Sequence, residues 1–161
     1  MRYLSFIILL LFFLLGCFSY QSVQKYKTNA DICEHTINSF KCVKYISAFD
    51  GDTITVDIPN VPIYFGYHAK VRISGIDAPE ITSKNACERK VAEEAKNKTT
   101  MLLIAAKRID LININKEKYG RILADVLVDG ISIGPLLLKD KLAYEYFGGT
   151  KQKIDWCNFK K

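Results

Sequence analysis

Four acidic and two basic residues have the types and spacing to do chemistry. Asp50 and Asp52 flank Gly51, and Asp77 and Glu80 bracket Ala78-Pro79, with Arg72 five residues ahead of Asp77. Farther on stands Tyr119-Gly120-Arg121. Carboxylates are hard oxygen ligands for a cation such as Ca²⁺, and one within reach of a water can act as a general base. Guanidinium groups grip an oxyanion through a planar fork that an ammonium lacks. Taken singly, each fragment has an ordinary reading: Asp-Gly as a turn, Asp-x-Pro-Glu as a solvated loop, an arginine at a strand start as a surface charge. Their conjunction is more specific, provided the fold brings them together.

The elements that must do so can be read from periodicity. Residues 43–49 are strand-like, Asp50-Gly51 supplies a strong turn signal, and residues 53–58 alternate with period two. Pro59 and Pro62 end that strand. Residues 69–76 give a third strand, so an antiparallel meander with short turns is expected. Residues 86–106 are rich in Ala, Glu, Lys and Leu, with Val91, Ala95, Met101, Leu102 and Ala105 spaced for one helical face. Residues 108–114 return to a strand pattern whose alternation slips at Leu111-Ile112, which reads as a buried strand or a bulge. Residues 122–128 form a fifth strand, and residues 132–142 a short helix with Pro135 near its first turn. Five strands, one long helix between the third and fourth and a short helix after the fifth match a five-stranded, Greek-key OB-fold barrel.

Composition sets the surroundings. The chain has 161 residues, 23 Lys+Arg against 17 Asp+Glu, and 49% apolar residues. That is one ordinary domain plus an appendage, with enough apolar chain for a core. Only two histidines, His35 and His68, are present, and both read as solvent-facing. HExxH, CxxC and GxxxxGK[ST] are absent from the sequence, so zinc peptidase, zinc ribbon and P-loop chemistry are excluded. The net charge of +6 agrees with a polyanionic partner without proving one.

The first residues read as an address. Arg2 precedes an uncharged stretch over 3–24 with an unbroken apolar run at 6–15, the layout of a secretory signal, and long enough for an uncleaved anchor. Leu14-Leu15-Gly16-Cys17 resembles a bacterial lipobox, which would put a lipid on Cys17. The expected division is a signal peptide over 1–16, a tether over 17–40 and the domain over 41–161. Lipoprotein, cleaved signal and uncleaved anchor all export the domain to the periplasm or cell surface. Four cysteines then remain, and of three connectivities the expected one is Cys33–Cys42 with Cys87–Cys157, the second stapling the C-terminus.

Three segments, Phe49-Asp50-Gly51-Asp52-Thr53, Arg72 through Glu80, and Lys118-Tyr119-Gly120-Arg121, occur in an order that resembles the thermonuclease (staphylococcal-nuclease-like) family. Similarity runs over about residues 43–147, and the family fold is an OB barrel with helices. The resemblance implies Ca²⁺ held by Asp52, Asp77 and the backbone carbonyl of Ala78, where the family commonly has threonine. It implies phosphate binding by Arg72 and Arg121, a general base at Glu80, and a nucleotide pocket lined by Lys118, Tyr119, Tyr144 and Tyr146. The implied activity is hydrolysis of DNA and RNA by a monomer, with single strands preferred and 3′-phosphate ends left. A catalytically inactive OB module that binds single-stranded nucleic acid is the alternative, and a surface lipoprotein using the barrel as scaffold is a third reading. All five charged residues of the motif are retained, which favours the enzyme.

Overall fold

A computed structural model describes residues 33–117 and 119–160. Its strands are β1 (Ser39–Phe40), β2 (Lys44–Ala48), β3 (Thr53–Asp57), β4 (Ala69–Ile73), β5 (Ile76–Asp77), β6 (Ile109–Lys116), β7 (Ile122–Val128), β8 (Ile131–Ser132) and β9 (Tyr144–Glu145). The helices are α1 (Ile63–Gly66), α2 (Ala86–Ala105), α3 (Ile133–Lys139) and α4 (Trp156–Phe159). The expected leader over 1–16 and the lipidation residue Cys17 lie outside the described residues, as does Lys118.

The five long strands correspond to the expected five and run in the order β6-β7-β4-β3-β2, with β4 and β7 parallel and the other neighbours antiparallel. Closure into a barrel is corrected: no continuous ladder joins β2 to β6. Between them stand the Val43 N–H donating to Ile109 O and the Cys42 N–H donating to Asp110 Oδ1, at 2.9 and 2.8 Å. The meander is also looser than expected. The β3–β4 connection runs over residues 58–68 and carries α1. Prolines at 59 and 62 stop β3 but leave room for a helical turn behind them. A register shift between Ile112 and Asn115 in β6 is the irregularity that the slipped alternation foreshadows.

Residues 33–40, read as the end of a tether, are part of the folded unit. Ser39 and Phe40 pair with Ile112 and Leu111, and Cys33 is bonded to Cys42. His35, expected in solvent, is a clasp: one ring nitrogen meets Pro59 O and the other accepts from the Lys41 N–H. His68 is exposed, but held by Asp57.

Helix α2 starts at Asn85, whose side chain accepts from the Cys87 and Glu88 N–H groups; such a cap contributes about 1 kcal/mol. Its buried face is Val91, Ala92, Ala95, Thr99 and Leu103. The expected face is right at Val91 and Ala95 and in part at Leu102, which packs against the core, but Met101 is 68% exposed and Ala105 also faces solvent. The true stripe passes through Thr99, which an apolar pattern skips. Its hydroxyl donates to Gly51 O at 2.7 Å and pins the β2–β3 turn to the helix. Only glycine fits that turn, because a Cβ on Gly51 would lie 2.7 Å from Ala95 Cβ and 2.9 Å from Ala78 Cβ.

The second disulfide is Cys87–Cys157, as expected, and ties α4 to the start of α2. Trp156 beside it is buried and packs edge-on to Phe159. Closing a 70-residue interval should contribute about 4 kcal/mol through loss of unfolded-state entropy. The Cys87→Ser/Cys157→Ser variant is accordingly expected to lose that amount of unfolding free energy in a urea titration. A loss under about 1 kcal/mol would show that burial of Trp156, and not the cross-link, holds the tail.

Candidate active site

Three backbone features aim the acidic residues at one point. The Asp50-Gly51-Asp52 turn ends against α2 through Thr99, so Asp52 enters β3 with its side chain inward and 1% exposed. Asp50 Oδ1 accepts the Asp52 N–H, which fixes the turn. Asp77 ends the two-residue strand β5, paired with Tyr144 of β9. Arg72 lies in β4 opposite Thr53 of β3. Its guanidinium therefore reaches both carboxylates from the sheet between them.

Arg72 Nη1 donates to Asp52 Oδ1, and Nη2 donates to Asp77 Oδ1 at 2.5 Å and to Ile76 O at 3.3 Å. The other oxygen of Asp52 accepts the Ala78 N–H at 2.6 Å. Burial works against charge on Arg72, but Asp52 and Asp77 outweigh it and raise its pKa. Burial pushes Asp52 the other way for a carboxyl, up to about 7, with help from the nearby Asp50 charge; Arg72 and the Ala78 amide only partly oppose this. Three buried carboxylates, Asp50, Asp52 and Asp77, thus face one buried guanidinium.

That imbalance is the test of whether a cation suits the site. Among the described residues no three Asp, Glu, His or Cys side chains converge to hold a metal by themselves. The donors that the family resemblance names are the carboxylates of Asp52 and Asp77 and the main-chain carbonyl of Ala78. They are hard oxygens with negative charge in excess, the chemistry that Ca²⁺ takes, with water completing its shell. A positive group already stands against them: Lys151 Nζ lies 2.9 Å from Asp77 Oδ1 and 2.9 Å from Glu80 Oε1. These two carboxylates raise its pKa against the opposing effect of burial. Hard oxygens with carboxylates outnumbering the one buried guanidinium are a donor chemistry that fits a cation.

Glu80 joins the group only through Lys151; its side chain is half-exposed. Arg121 joins through β3, its Nη1 donating to Thr53 Oγ1 at 3.4 Å while Thr53 Oγ1 donates to Asp52 Oδ1 at 3.0 Å. Its Nε is paired with Glu117. Tyr119 is 74% exposed, and the Arg121 guanidinium lies 6.0 Å from its ring centre. Tyr144 is buried against Trp156 and donates its hydroxyl to Asp77 Oδ2 at 2.9 Å; burial and that bond raise its pKa to about 12. It orients a carboxylate where a pocket wall was expected. Tyr146 meets Tyr144 at an edge and donates to Gly149 O, away from the carboxylates.

Sequence reasoning passed over Thr53, Thr99 and Lys151. Thr53 follows directly on Asp50-Gly51-Asp52 and was findable there. Lys151 had no signal, because its place depends on a tail fixed by a disulfide.

Residues 70–157 match the family described as "Staphylococcal nuclease homologue". Over 124 residues the chain is 36% identical to Endonuclease YncB of Bacillus subtilis (strain 168), covering 73% of this chain and 56% of that protein. It is 37% identical over 109 residues to the SPbeta prophage-derived endonuclease YokF of the same organism, covering 65% and 35%. The chain therefore spans little more than half of one relative and about a third of the other. The matched span runs from β4 through the Cys157 staple, covers more than half of the chain and takes in Arg72, Asp77, Glu80, Arg121, Tyr144 and Lys151, so the chain belongs to the staphylococcal nuclease homologue family.

Proposed function

We propose that this chain is a Ca²⁺-dependent nuclease that hydrolyses phosphodiester bonds of DNA and RNA, with single strands preferred and 3′-phosphate ends left. The observation that carries the reading is the buried fork of Arg72 on Asp52 and Asp77, with Arg121 linked to the same cluster through Thr53. A bound Ca²⁺, held by Asp52, Asp77 and the Ala78 carbonyl, would supply charge to offset that building on the phosphoryl oxygens. Arg72 and Arg121 bind and orient those oxygens through their forks. Glu80 takes the proton from the attacking water onto a carboxylate oxygen. Tyr144 keeps Asp77 facing inward.

Digestion of single-stranded and duplex DNA by the full chain, in Ca²⁺ and again with a chelator, tests the reading. Cleavage that needs Ca²⁺ is expected, faster on single strands. Binding without cutting at any divalent ion would make the chain a binding module.

Lys151 gives a second check. An ammonium paired with Glu80 weakens that carboxylate as a base, and it shares Asp77 with the cation. Lys151→Met is therefore expected to lower the Ca²⁺ concentration for half-maximal activity several-fold, and calorimetry should show the same gain in Ca²⁺ binding. An unchanged titration would place Lys151 outside the cation's reach.

Export is proposed on the uncharged leader, with attachment through lipidated Cys17 or an uncleaved anchor. A Cys17→Ser chain recovered in the soluble fraction would support the lipid, whereas one still extracted with membranes would support the anchor.

A further inference from the structure

A groove of about 820 Å³ lies between the β3–β4 connection, the end of β6 and the start of β7, and among the described residues no carboxylate lines it. Its cations are Lys70, Lys116 and Arg121, and its aromatic wall is Tyr64, Phe65 and Tyr67. Those rings are 92%, 72% and 62% exposed. Apolar side chains normally avoid such display, and a cluster of them marks a contact surface.

The display is built, not incidental. Pro62 opens α1, and Gly66 closes it beneath the rings, where a Cβ would lie 2.5 Å from both Ile58 O and Val61 Cγ2. The Gly66 carbonyl accepts the Ile58 N–H at 2.8 Å. Asp57 holds His68 through its backbone N–H and its ring, and Tyr67 stacks on that ring at 3.9 Å. The backbone is thus clasped from both ends while the aromatic faces point out. The two nearby acids are engaged elsewhere, Asp57 with His68 and Glu117 with Arg121.

Aromatic faces beside cations, without carboxylates, suit a polyanion that carries flat apolar units. Single-stranded nucleic acid has that chemistry, and its bases stack on such platforms without regard to sequence. Continuity points to the same ligand. Arg121 lines the groove and also reaches Thr53 beside Asp52, so a strand with a phosphate on Arg121 can run directly into it. The volume is within the range of pockets that enclose drug-sized ligands, roughly 300–1,000 Å³. We propose that this groove is a subsite for unpaired nucleotides flanking the scissile one, holding bases on Tyr64 and Tyr67 and phosphates on Lys70 and Lys116. The inference rests on the nuclease reading and adds where the rest of the strand lies.

The test compares the full chain with its Tyr64→Ala/Tyr67→Ala variant on a dodecathymidylate and on a thymidine dinucleotide in Ca²⁺. Loss of the two stacking faces should raise KM for the long substrate by more than about tenfold, with kcat unchanged and the dinucleotide unaffected. A KM unchanged on both substrates, with cleavage intact, overturns the groove and leaves the nuclease. If the wild-type chain cuts neither substrate, the nuclease reading fails. Anisotropy of labelled dodecathymidylate in chelator then still decides the groove by whether the double variant binds as tightly as the parent. Should that variant fail to fold, Lys116→Glu gives the same comparison and should flatten the salt dependence of binding. If the aromatic variant keeps oligonucleotide affinity but loses binding to phosphatidylglycerol vesicles, the face belongs to a bilayer and the proposal is overturned.

Discussion

Replacing Arg72 by lysine is expected to reduce turnover of single-stranded DNA by on the order of 10³-fold, the scale of losing a preorganised charge-stabilising donor. Charge is conserved in this change, so the loss isolates the fork. The guanidinium spans Asp52 and Asp77 with separate nitrogens, and a single ammonium can serve only one of them well. Some stability should go as well, because one buried carboxylate is left short of its partner. Rates are therefore to be read well below the melting temperature and with saturating Ca²⁺. A variant that folds, binds substrate and turns over at the parental rate would remove Arg72 from the chemistry.

The second large effect concerns stability and has the opposite sign from most substitutions of buried residues. Asp52 in the folded protein holds its proton up to about pH 7, chiefly because of burial, whereas an ordinary carboxyl releases it near 3.8. Between those limits the folded state binds more protons than the unfolded one, so stability falls as pH rises through that window. Asp52→Asn removes the titration. In chelator it is expected to melt above the parent at pH 8, with the gap shrinking as pH approaches 4. Ca²⁺ should raise the melting temperature of the parent at pH 8 and barely change that of the variant. Parallel melting curves across the pH range would mean that Arg72 alone neutralises the pocket.

The sequence made the site legible to the extent that its parts are local. Asp50-Gly51-Asp52 and the segment from Arg72 to Glu80 each carry their own turn chemistry, and the strands on either side alternate cleanly. The long helix was legible in its first half, where Val91 and Ala95 follow the period. Beyond, only Leu102 of the expected face packs on the core, because the buried position at 99 is filled by a threonine whose value lies in one hydroxyl. Barrel closure was not legible, since strand count says nothing about whether the first and fourth strands complete a ladder. Residues 33–40 looked like a tether because their order comes from a disulfide, a histidine clasp and a two-residue strand, none of which has a period. Lys151 was invisible for a related reason: what places it acts across a long interval of chain.

Gly51, Ala78 and Ala95 meet where the acidic turn, the Asp77 loop and the helix converge. The interval between the two carboxylate-bearing turns is thus gauged by a spacer one methyl group thick. Charges at this centre can be exchanged without altering that interval, as with asparagine for Asp52. A branched side chain at position 95 would do the reverse, moving both turns apart while leaving every charge in place. The spacing of the two carboxylate-bearing turns is consequently written into an uncharged helix face, at the buried Ala95.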